Sequence, residues 1–353
     1  MAYSNVKKPA FYIPIFDYQQ SIGNIEYDSG DLNDLHLLNP TKTHRFQGSS
    51  TNVIQHDIRL NHPIDYDDIV DTDGNIYLFI LGHNLSSVNS TIDVHLIDED
   101  LNTTSPSNIA VLNSNGTSTA PTYNGFSVIE LSYTGVTKIK GFRIVITGLD
   151  SAANDIVKLG CVSLCSKYTF PNSPDLSLNM TREYDGVKTI ETKGGATLSN
   201  AQYTRGGTYW AFGYAWELST QEDDIYIEGE EGETRRLADR GRQRTLGRRN
   251  WSLKFSYMND SDIMPETESL DYYATDDYTD NVGVTLHKSN SFFGKVLNRV
   301  QGSHLPFIFL PNISDPNYNP DQWAIARLDQ NEITINQVAH TVYDLSLKIR
   351  EVW

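Results

Sequence analysis

The sequence predicts a mainly β protein, in which a β-sandwich or jelly-roll domain is joined to a second β-rich domain with one helix. Short apolar or alternating runs recur along most of the chain and are separated by Asn, Gly, Ser and Asp residues. This spacing is typical of strands connected by turns. Helical periodicity is scarce, and a length of 353 residues exceeds the usual size of one domain. We therefore expect two domains.

The first group of strands predicts the jelly roll. Its members are residues 75–85, 91–98, 125–133, 138–149 and 156–170. Pro171 and Pro174 follow the last run and mark a junction. We expect residues 41–170 to form a β-sandwich that folds separately from the rest of the chain.

Residues 1–40 and 171–353 are predicted to form the second domain. The apolar stretch "AFYIPIFDY" needs a partner and the C-terminal strands need covered edges, so we expect the N-terminal segment to pair with the C-terminal half. Apolar and polar residues alternate in "NWSLKFSYM" from Trp251 onward, and again over residues 331–353. The one predicted helix covers residues 290–302, where five apolar residues share a helical face.

The charge balance argues against two classes of partner. The chain has 45 acidic and 28 basic side chains and a net charge of −17, which disfavours general affinity for nucleic acid or anionic membranes. The N-terminal stretch lacks the apolar core of a signal peptide, and no run of eighteen apolar residues occurs. We expect a protein that is made in the cytoplasm and does not insert into a membrane.

An acidic block is followed directly by an arginine run within residues 220–250. The acidic block, "EDDIYIEGEEGE" at residues 222–233, holds seven acidic residues in twelve positions. The arginine run consists of Arg235, Arg236, Arg240, Arg242, Arg244, Arg248 and Arg249. Residues 222–249 together carry about −1, so the segment is not a basic domain of the kind that binds nucleic acid. We expect a charged hairpin or loop whose arginines engage carboxylates at a subunit interface.

Two further stretches each have two interpretations. "YTRGGTYWAFGYAWEL" at residues 203–218 contains Trp210 and Trp216, which would either stack on sugar rings or fill a subunit boundary. In "LGHNL", His83 and Asn84 follow an apolar strand. They would either contact a ligand at the jelly-roll rim or hold a turn through backbone hydrogen bonds.

Motifs for catalysis and metal binding are lacking. The sequence has no nucleophile elbow, phosphate loop, H-E-x-x-H motif or dinucleotide fingerprint. His56 and His62 lie close to an acidic run, residues 65–74, which suits either bound calcium or a solvated loop, although the EF-hand spacing is missing. Cys161 and Cys165 are too few for a cysteine-rich zinc site and are predicted to be reduced thiols in the core. We expect no enzymatic activity, no cofactor and no metal.

The C-terminal half resembles tail proteins of tailed bacteriophages. The resemblance rests on "RRNWSLKFSYMNDSDIM", "SFFGKVLNRVQGSHLPFIFLPN", "PDQWAIARLD" and "VAHTVYDLSLKIREVW", in that order. In tail-tip, baseplate and distal tail components, a strand leads to an acidic turn, a helix and paired strands that end in an arginine-glutamate pair. Asp260 and Asp262 correspond to the turn, and Arg350 and Glu351 to the pair.

The N-terminal half is similar to discoidin-like or galactose-binding-like jelly rolls, which occur as insertions in such tail proteins. "IYLFILGHNLSS", "FSVIELSY" and "KIKGFRIVITG" carry this similarity, and Gly82, His83 and Asn84 form its Gly-His-Asn triplet. The two resemblances together imply a structural component of a phage tail, located in the virion, that forms a ring with copies of itself and contacts neighbouring tail proteins. The alternative that they imply is a carbohydrate- or receptor-binding module that contacts a host glycan. A polysaccharide-degrading enzyme is a third hypothesis.

Overall fold

The computed structural model describes most of both halves of the chain. The described residues are 6–15, 19–23, 27–29, 35, 38, 44–47, 53–85, 90–112, 119–121, 125–148, 156–183, 187–201, 226–228, 234–236, 248–265, 289–313 and 322–352. The strands of the first half are β1 Ala10–Pro14, β2 Gln19–Gly23, β3 Tyr27–Ser29, β4 His44–Gln47, β5 Ile54–Asp65, β6 Asn75–Leu81, β7 Thr91–Ile97, β8 Thr103–Thr104, β9 Asn108–Val111, β10 Phe126–Ser132, β11 Lys138–Thr147, β12 Ile156–Leu159 and β13 Cys161–Thr169.

The second half is also built mainly from strands. They are β14 Asn179–Glu183, β15 Val187–Glu191, β16 Thr197–Ala201, β17 Tyr226–Glu228, β18 Thr234–Arg236, β19 Arg248–Asn259, β20 Phe307–Leu310, β21 Ala324–Leu328, β22 Ile335–Ala339 and β23 Val342–Glu351. The helical segments are a 3-10 turn at Tyr66–Asp68, α1 at Asp260–Ile263, a π-helical turn at Phe293–Leu297 and α2 at Asn298–Val300. The predicted mainly β fold is confirmed.

One long antiparallel sheet runs through both halves. Among the described residues it has eleven strands, in the order β14-β19-β23-β21-β20-β1-β13-β6-β10-β9, with β22 paired to β23. β1 is the strand that joins the halves, because Phe11 lies opposite Tyr168 of β13 on one side and Phe309 of β20 on the other. The predicted pairing of the N-terminal stretch with the C-terminal half is therefore seen in β1, together with longer pairing to the jelly roll: five residues of β1 pair with β13 and three with β20.

The jelly roll closes over the β6, β10 and β13 end of this sheet. A second sheet, in the order β2-β5-β11-β7-β8, packs against it. Alternation along β6 explains how the strand is buried on both faces. Ile76, Leu78 and Ile80 enter the core between the sheets, whereas Tyr77 and Phe79 enter a core on the opposite side.

The strands of residues 1–40 are divided between the two halves, unlike the predicted grouping. β2 pairs with β5, and β3 pairs with β4, which in turn pairs with β12. β2 and β3 thus accompany the strands of residues 41–170, because the strands they pair with belong to that part of the chain. Whether residues 41–170 fold separately stays a prediction.

The third core lies beneath the C-terminal part of the long sheet. Inward residues of β19, β20, β21 and β23 pack there against the helical segment through Phe292, Val296 and Val300. That segment begins as a π turn and ends at Gln301 and Gly302, which both have positive φ (52° and 69°). The predicted helix is thus present and stops near Gly302. Cys161 and Cys165 are buried and are not joined in a disulfide, which agrees with the sequence prediction.

Candidate functional site

The C-terminal part of the long sheet presents a basic outer face. In β19 and β23, buried residues such as Trp251 and Leu347 alternate with polar residues that point away from the core. Arg327 lies between two buried residues of β21 and is exposed. We define the basic face by its five cationic side chains: Arg248, Lys254, Arg327, Lys348 and Arg350.

Two members of the basic face are held by ion pairs. The Nη2 atom of Arg350 donates to Oε2 of Glu183 at 2.8 Å, and Nζ of Lys254 lies 3.3 Å from Oδ2 of Asp344. Arg327 and Lys348 make no ion pair with any residue in the described ranges. Their positive charge faces solvent and is available to an outside anion.

A polar cleft of about 370 Å³ lies on this face, where β21 meets β23. Its polar lining comes from Ser303, Arg327, Asp329, Gln330, Asn331 and Arg350. The side-chain amide of Gln330 donates to the Ser346 carbonyl at 3.1 Å and accepts from the Lys348 backbone N–H at 3.1 Å. Ser303 donates to Oδ1 of Asn331 at 2.6 Å. These bonds fix the end of β21 against β23 and hold the cleft open beside two guanidinium groups.

Arg249 differs from its predicted place at a subunit interface. Its side chain is 8 % exposed and turns inward, next to Glu351, which is 1 % exposed. The backbone N–H, Nε and Nη2 of Arg249 donate to the Glu351 carboxylate at 2.9, 3.0 and 2.8 Å. Nη2 also donates to the Trp323 carbonyl. The physical reason is strand alternation, because Arg249 shares the inward face of β19 with Trp251.

Of the other six arginines of the run, three lie within the described residues and three lie outside them. Arg235 and Arg236 lie in β18, which pairs with β17 in a short hairpin, and Arg248 lies on the basic face. Arg240, Arg242 and Arg244 lie outside the described residues. The same is true of Trp210 and Trp216, so the aromatic stretch keeps both of its interpretations.

His83 is a buried structural residue, and Asn84 bonds the backbone of β12. The His83 ring is fully buried, with Nε2 2.8 Å from Oγ of Ser127 and Nδ1 accepting the Leu85 backbone N–H at 3.2 Å. Burial lowers the pKa of His83 to about 3, so the ring is neutral at physiological pH. Oδ1 of Asn84 accepts the Lys158 backbone N–H at 2.8 Å. The ligand-contact interpretation of His83 is corrected, because no part of the ring reaches the surface.

The acidic run at residues 65–74 is tied down by its own hydrogen bonds. Oδ1 of Asp71 accepts the backbone N–H groups of Asp73 and Asn75, and Oδ2 accepts from the Tyr77 hydroxyl and the Lys167 ammonium group. Nearby, Arg143 clamps Asp57 with two hydrogen bonds of 2.6 and 2.9 Å, which contribute to a lowered pKa of that carboxyl despite its burial. Across the described parts of the chain, no group of three or more His, Cys, Asp or Glu side chains is arranged to hold a metal ion.

Reasoning from the sequence did not predict that four cationic residues outside the arginine run share the basic face. They are Lys254, Arg327, Lys348 and Arg350. Alternation already places Lys348 and Arg350 at polar positions of the last strand. What joins them to Arg327 is the pairing of β21 with β23, whose register depends on tertiary packing. None of the described helices has the length and apolar character required to cross a membrane.

Comparisons with known proteins add little to this geometry. No family model and no curated protein matches the chain. Among solved structures, a similarity is found to CBM32-1 from a family 31 glycoside hydrolase from Clostridium perfringens, with a TM-score of 0.31 and 11 % sequence identity. It covers 47 % of this chain and 100 % of that one. At this TM-score the similarity carries no argument about function.

Proposed function

We propose that this chain is a non-enzymatic structural protein that assembles with copies of itself, as a ring-forming component of a bacteriophage tail. The observation that carries the proposal is the separation of charge. A chain with a net charge of −17 presents a basic sheet face, and its sequence also contains the acidic block of residues 222–233. Surfaces of opposite sign on one molecule favour head-to-tail contacts between identical copies.

The magnitudes require several ion pairs to act together. An exposed ion pair contributes at most about 1 kcal/mol, so a single contact of the Arg327 guanidinium would not hold two subunits together. Several cations facing several carboxylates select the partner and its register, and they accelerate encounter at low salt. Repetition of such contacts around a closed ring would add their contributions.

The phage-tail part of the proposal follows the resemblance of the C-terminal half. The arginine-glutamate pair of that resemblance, Arg350 and Glu351, is structural in this chain. Each member ties the last strand to a different partner, Glu183 and Arg249 respectively. This role supports a scaffold more than a catalytic centre. Neighbouring tail proteins would then be the further partners, and the virion the location.

The mass of the protein in solution tests the proposal. We expect sedimentation velocity to detect an oligomer at about 0.05 M salt and its partial dissociation at about 0.5 M, where the Debye length has fallen to a few ångströms. A strict monomer at both salt concentrations, over the full range of protein concentration, would remove the proposal. Immunogold labelling of virions with an antibody to this chain would test the tail location.

The carbohydrate-binding alternative now depends on Trp210 and Trp216. His83 no longer supports it, because its ring is fully buried and both ring nitrogens are engaged, and Oδ1 of Asn84 already accepts the Lys158 backbone N–H. A glycan array distinguishes the two functions. Binding of a defined glycan that is lost in Trp210→Ala and Trp216→Ala variants, in a protein that stays monomeric, would favour the alternative.

A further inference from the structure

We propose that the cleft between Arg327 and Arg350 is a carboxylate-binding site and that it receives the acidic block, residues 222–233, of a second copy of this chain. The inference rests on the proposed self-assembly and names the two surfaces that meet in it. It concerns a site to which the sequence prediction assigned no role, because the predicted interface was the arginine run.

The geometry of the cleft suits a carboxylate. Arg327 and Arg350 lie directly opposite each other on β21 and β23, and neighbouring strands are separated by about 4.8 Å. Two guanidinium groups at such spacing offer planar N–H pairs that match carboxylate oxygens. Arg350 is already oriented by Glu183, and Arg327 makes no ion pair with a described residue. Arg327 therefore has more of its guanidinium N–H groups left to bind an incoming carboxylate than Arg350 has.

The polar groups around the two arginines shape the site further. Gln330 uses both ends of its amide to hold the backbone of β23, so this wall of the cleft is fixed before a ligand binds. Lys348, one pleat away on the same outer face, adds positive charge beside the cleft. Asp329 contributes one carboxylate to the lining. It lies on the Lys348 side, since the Asp329 backbone N–H donates to the Lys348 carbonyl at 2.8 Å, so its repulsion directs an incoming acid toward Arg327 and Arg350.

Charge complementarity identifies the occupant. The acidic block has seven acidic residues in twelve positions and contains no lysine or arginine. It therefore offers several carboxylates to the cleft and to the rest of the basic face at once. A contact between two different surfaces of identical chains is heterologous, and it generates a ring when the rotation between neighbours closes.

Complementation between two variants tests the proposal. The face variant carries Arg327→Ser and Lys348→Ser, and the block variant carries amides in place of the acids: Glu222→Gln, Asp223→Asn, Asp224→Asn, Glu228→Gln, Glu230→Gln, Glu231→Gln and Glu233→Gln. Each variant alone lacks one of the two surfaces, so each should be monomeric. An equimolar mixture retains one intact pair of surfaces and should give a dimer that grows no further. Lys138→Ser is the matched control, because Lys138 is an exposed lysine of β11, outside the basic face, and is paired with Glu99 at 3.8 Å. It should leave assembly within about twofold of the unmodified protein.

A synthetic peptide of residues 222–233 gives a second measurement. Fluorescence anisotropy should detect its binding to the block variant, and Arg327→Ser should weaken that binding about tenfold, the loss expected for a charge-assisted hydrogen bond. A peptide with amides in place of its acids should not bind. Circular dichroism spectra would verify that each variant is folded, which is expected of the face variant because the side chains of Arg327 and Lys348 are exposed.

The outcomes separate this inference from the proposed self-assembly. If the unmodified protein assembles while the mixture stays monomeric and the peptide fails to bind, assembly stands and the cleft is not its acceptor. If the peptide binds the block variant but the unmodified protein is monomeric, the block occupies its own face, and both the second-copy contact and the self-assembly are overturned. Tighter binding of a DNA oligonucleotide than of the peptide, lost in Arg327→Ser, would also overturn the inference.

Discussion

Removal of the Glu351 carboxylate should destabilise the C-terminal half far more than the substitution of an exposed charged side chain would. In Glu351→Leu, the Arg249 guanidinium would stay buried without its counter-ion. Three of its N–H donors, counting the backbone group, would lose their acceptor. Breaking a buried ion pair by removing one partner costs about 3–5 kcal/mol. We expect a loss of this size in the free energy of unfolding.

The double variant Arg249→Met with Glu351→Leu should recover part of that loss. It removes both charges and fills the space with apolar atoms, so that the remaining cost is about 1–3 kcal/mol for the backbone N–H of Arg249, which still lacks an acceptor. The difference between the double variant and the sum of the two single variants measures the coupling of the pair. Arg350→Ala breaks the neighbouring half-exposed pair with Glu183 and serves as the control, with an expected loss of at most about 1 kcal/mol.

Urea unfolding followed by tryptophan fluorescence provides the assay. Trp251 and Trp323 both adjoin the ion pair, since the Arg249 guanidinium lies 5.3 Å from the Trp251 ring centroid and donates to the Trp323 carbonyl. A Glu351→Leu protein within about 1 kcal/mol of the unmodified chain would refute the reasoning. So would a double variant as unstable as the two single variants added together.

Three further predictions concern pH and backbone packing. Burial lowers the pKa of His83 to about 3 and that of His56 to about 4. Because both histidines must stay neutral in the folded protein, the free energy of unfolding should be at its full value above pH 6.5 and should fall as the pH drops below that value. For His56 the loss should reach about 3 kcal/mol. His56→Gln should flatten that part of a stability-against-pH curve, and an unchanged curve would contradict the assignment. Burial also lowers the pKa of Lys295 from 10.5 to about 8, so stability should rise by up to about 3 kcal/mol between those pH values, and Lys295→Met should lose this rise in urea titrations at each pH. Gly141→Ala would place a Cβ atom within 3 Å of the backbone of the opposite strand, so it should lower the thermal midpoint of unfolding by several degrees. Gly194→Ala is the control, because open space surrounds Gly194, and it should leave the midpoint unchanged. Equal midpoints for the two variants would argue against the tight pairing of β11 with β5.

The sequence predicts the strands well where alternation is strong. In β19 the apolar residues from Trp251 onward identify the buried face, and the structure agrees. The same period also places Arg249 on that face. A charged residue at a buried position is energetically costly without a counter-ion, and the counter-ion, Glu351, lies 102 residues further along the chain. Because strand register over that separation is set by tertiary packing, the local sequence indicated an exposed arginine run instead.

The candidate site was harder to predict than the fold. Arg327 is an isolated cation in "AIARLDQ", and its significance depends on the strand that pairs beside it. The reverse holds for His83, which stands out in the sequence and proves to be a buried structural residue. Polar residues after apolar strands serve turns as well as ligands, and the choice depends on whether the surrounding loops cover them.

The position of β1 in the long sheet has a consequence for how the chain folds during synthesis. Phe11 leaves the ribosome before either of its strand partners, which are made about 150 and about 300 residues later. At about 5–20 residues per second, the second partner follows after on the order of 15–60 s. During that interval a strand with four buried residues out of five in the final protein lacks one of its two partner strands, so it stays exposed to mispairing and to chaperones. The jelly-roll strands can form their core meanwhile, and the union of the two halves has to wait for β20.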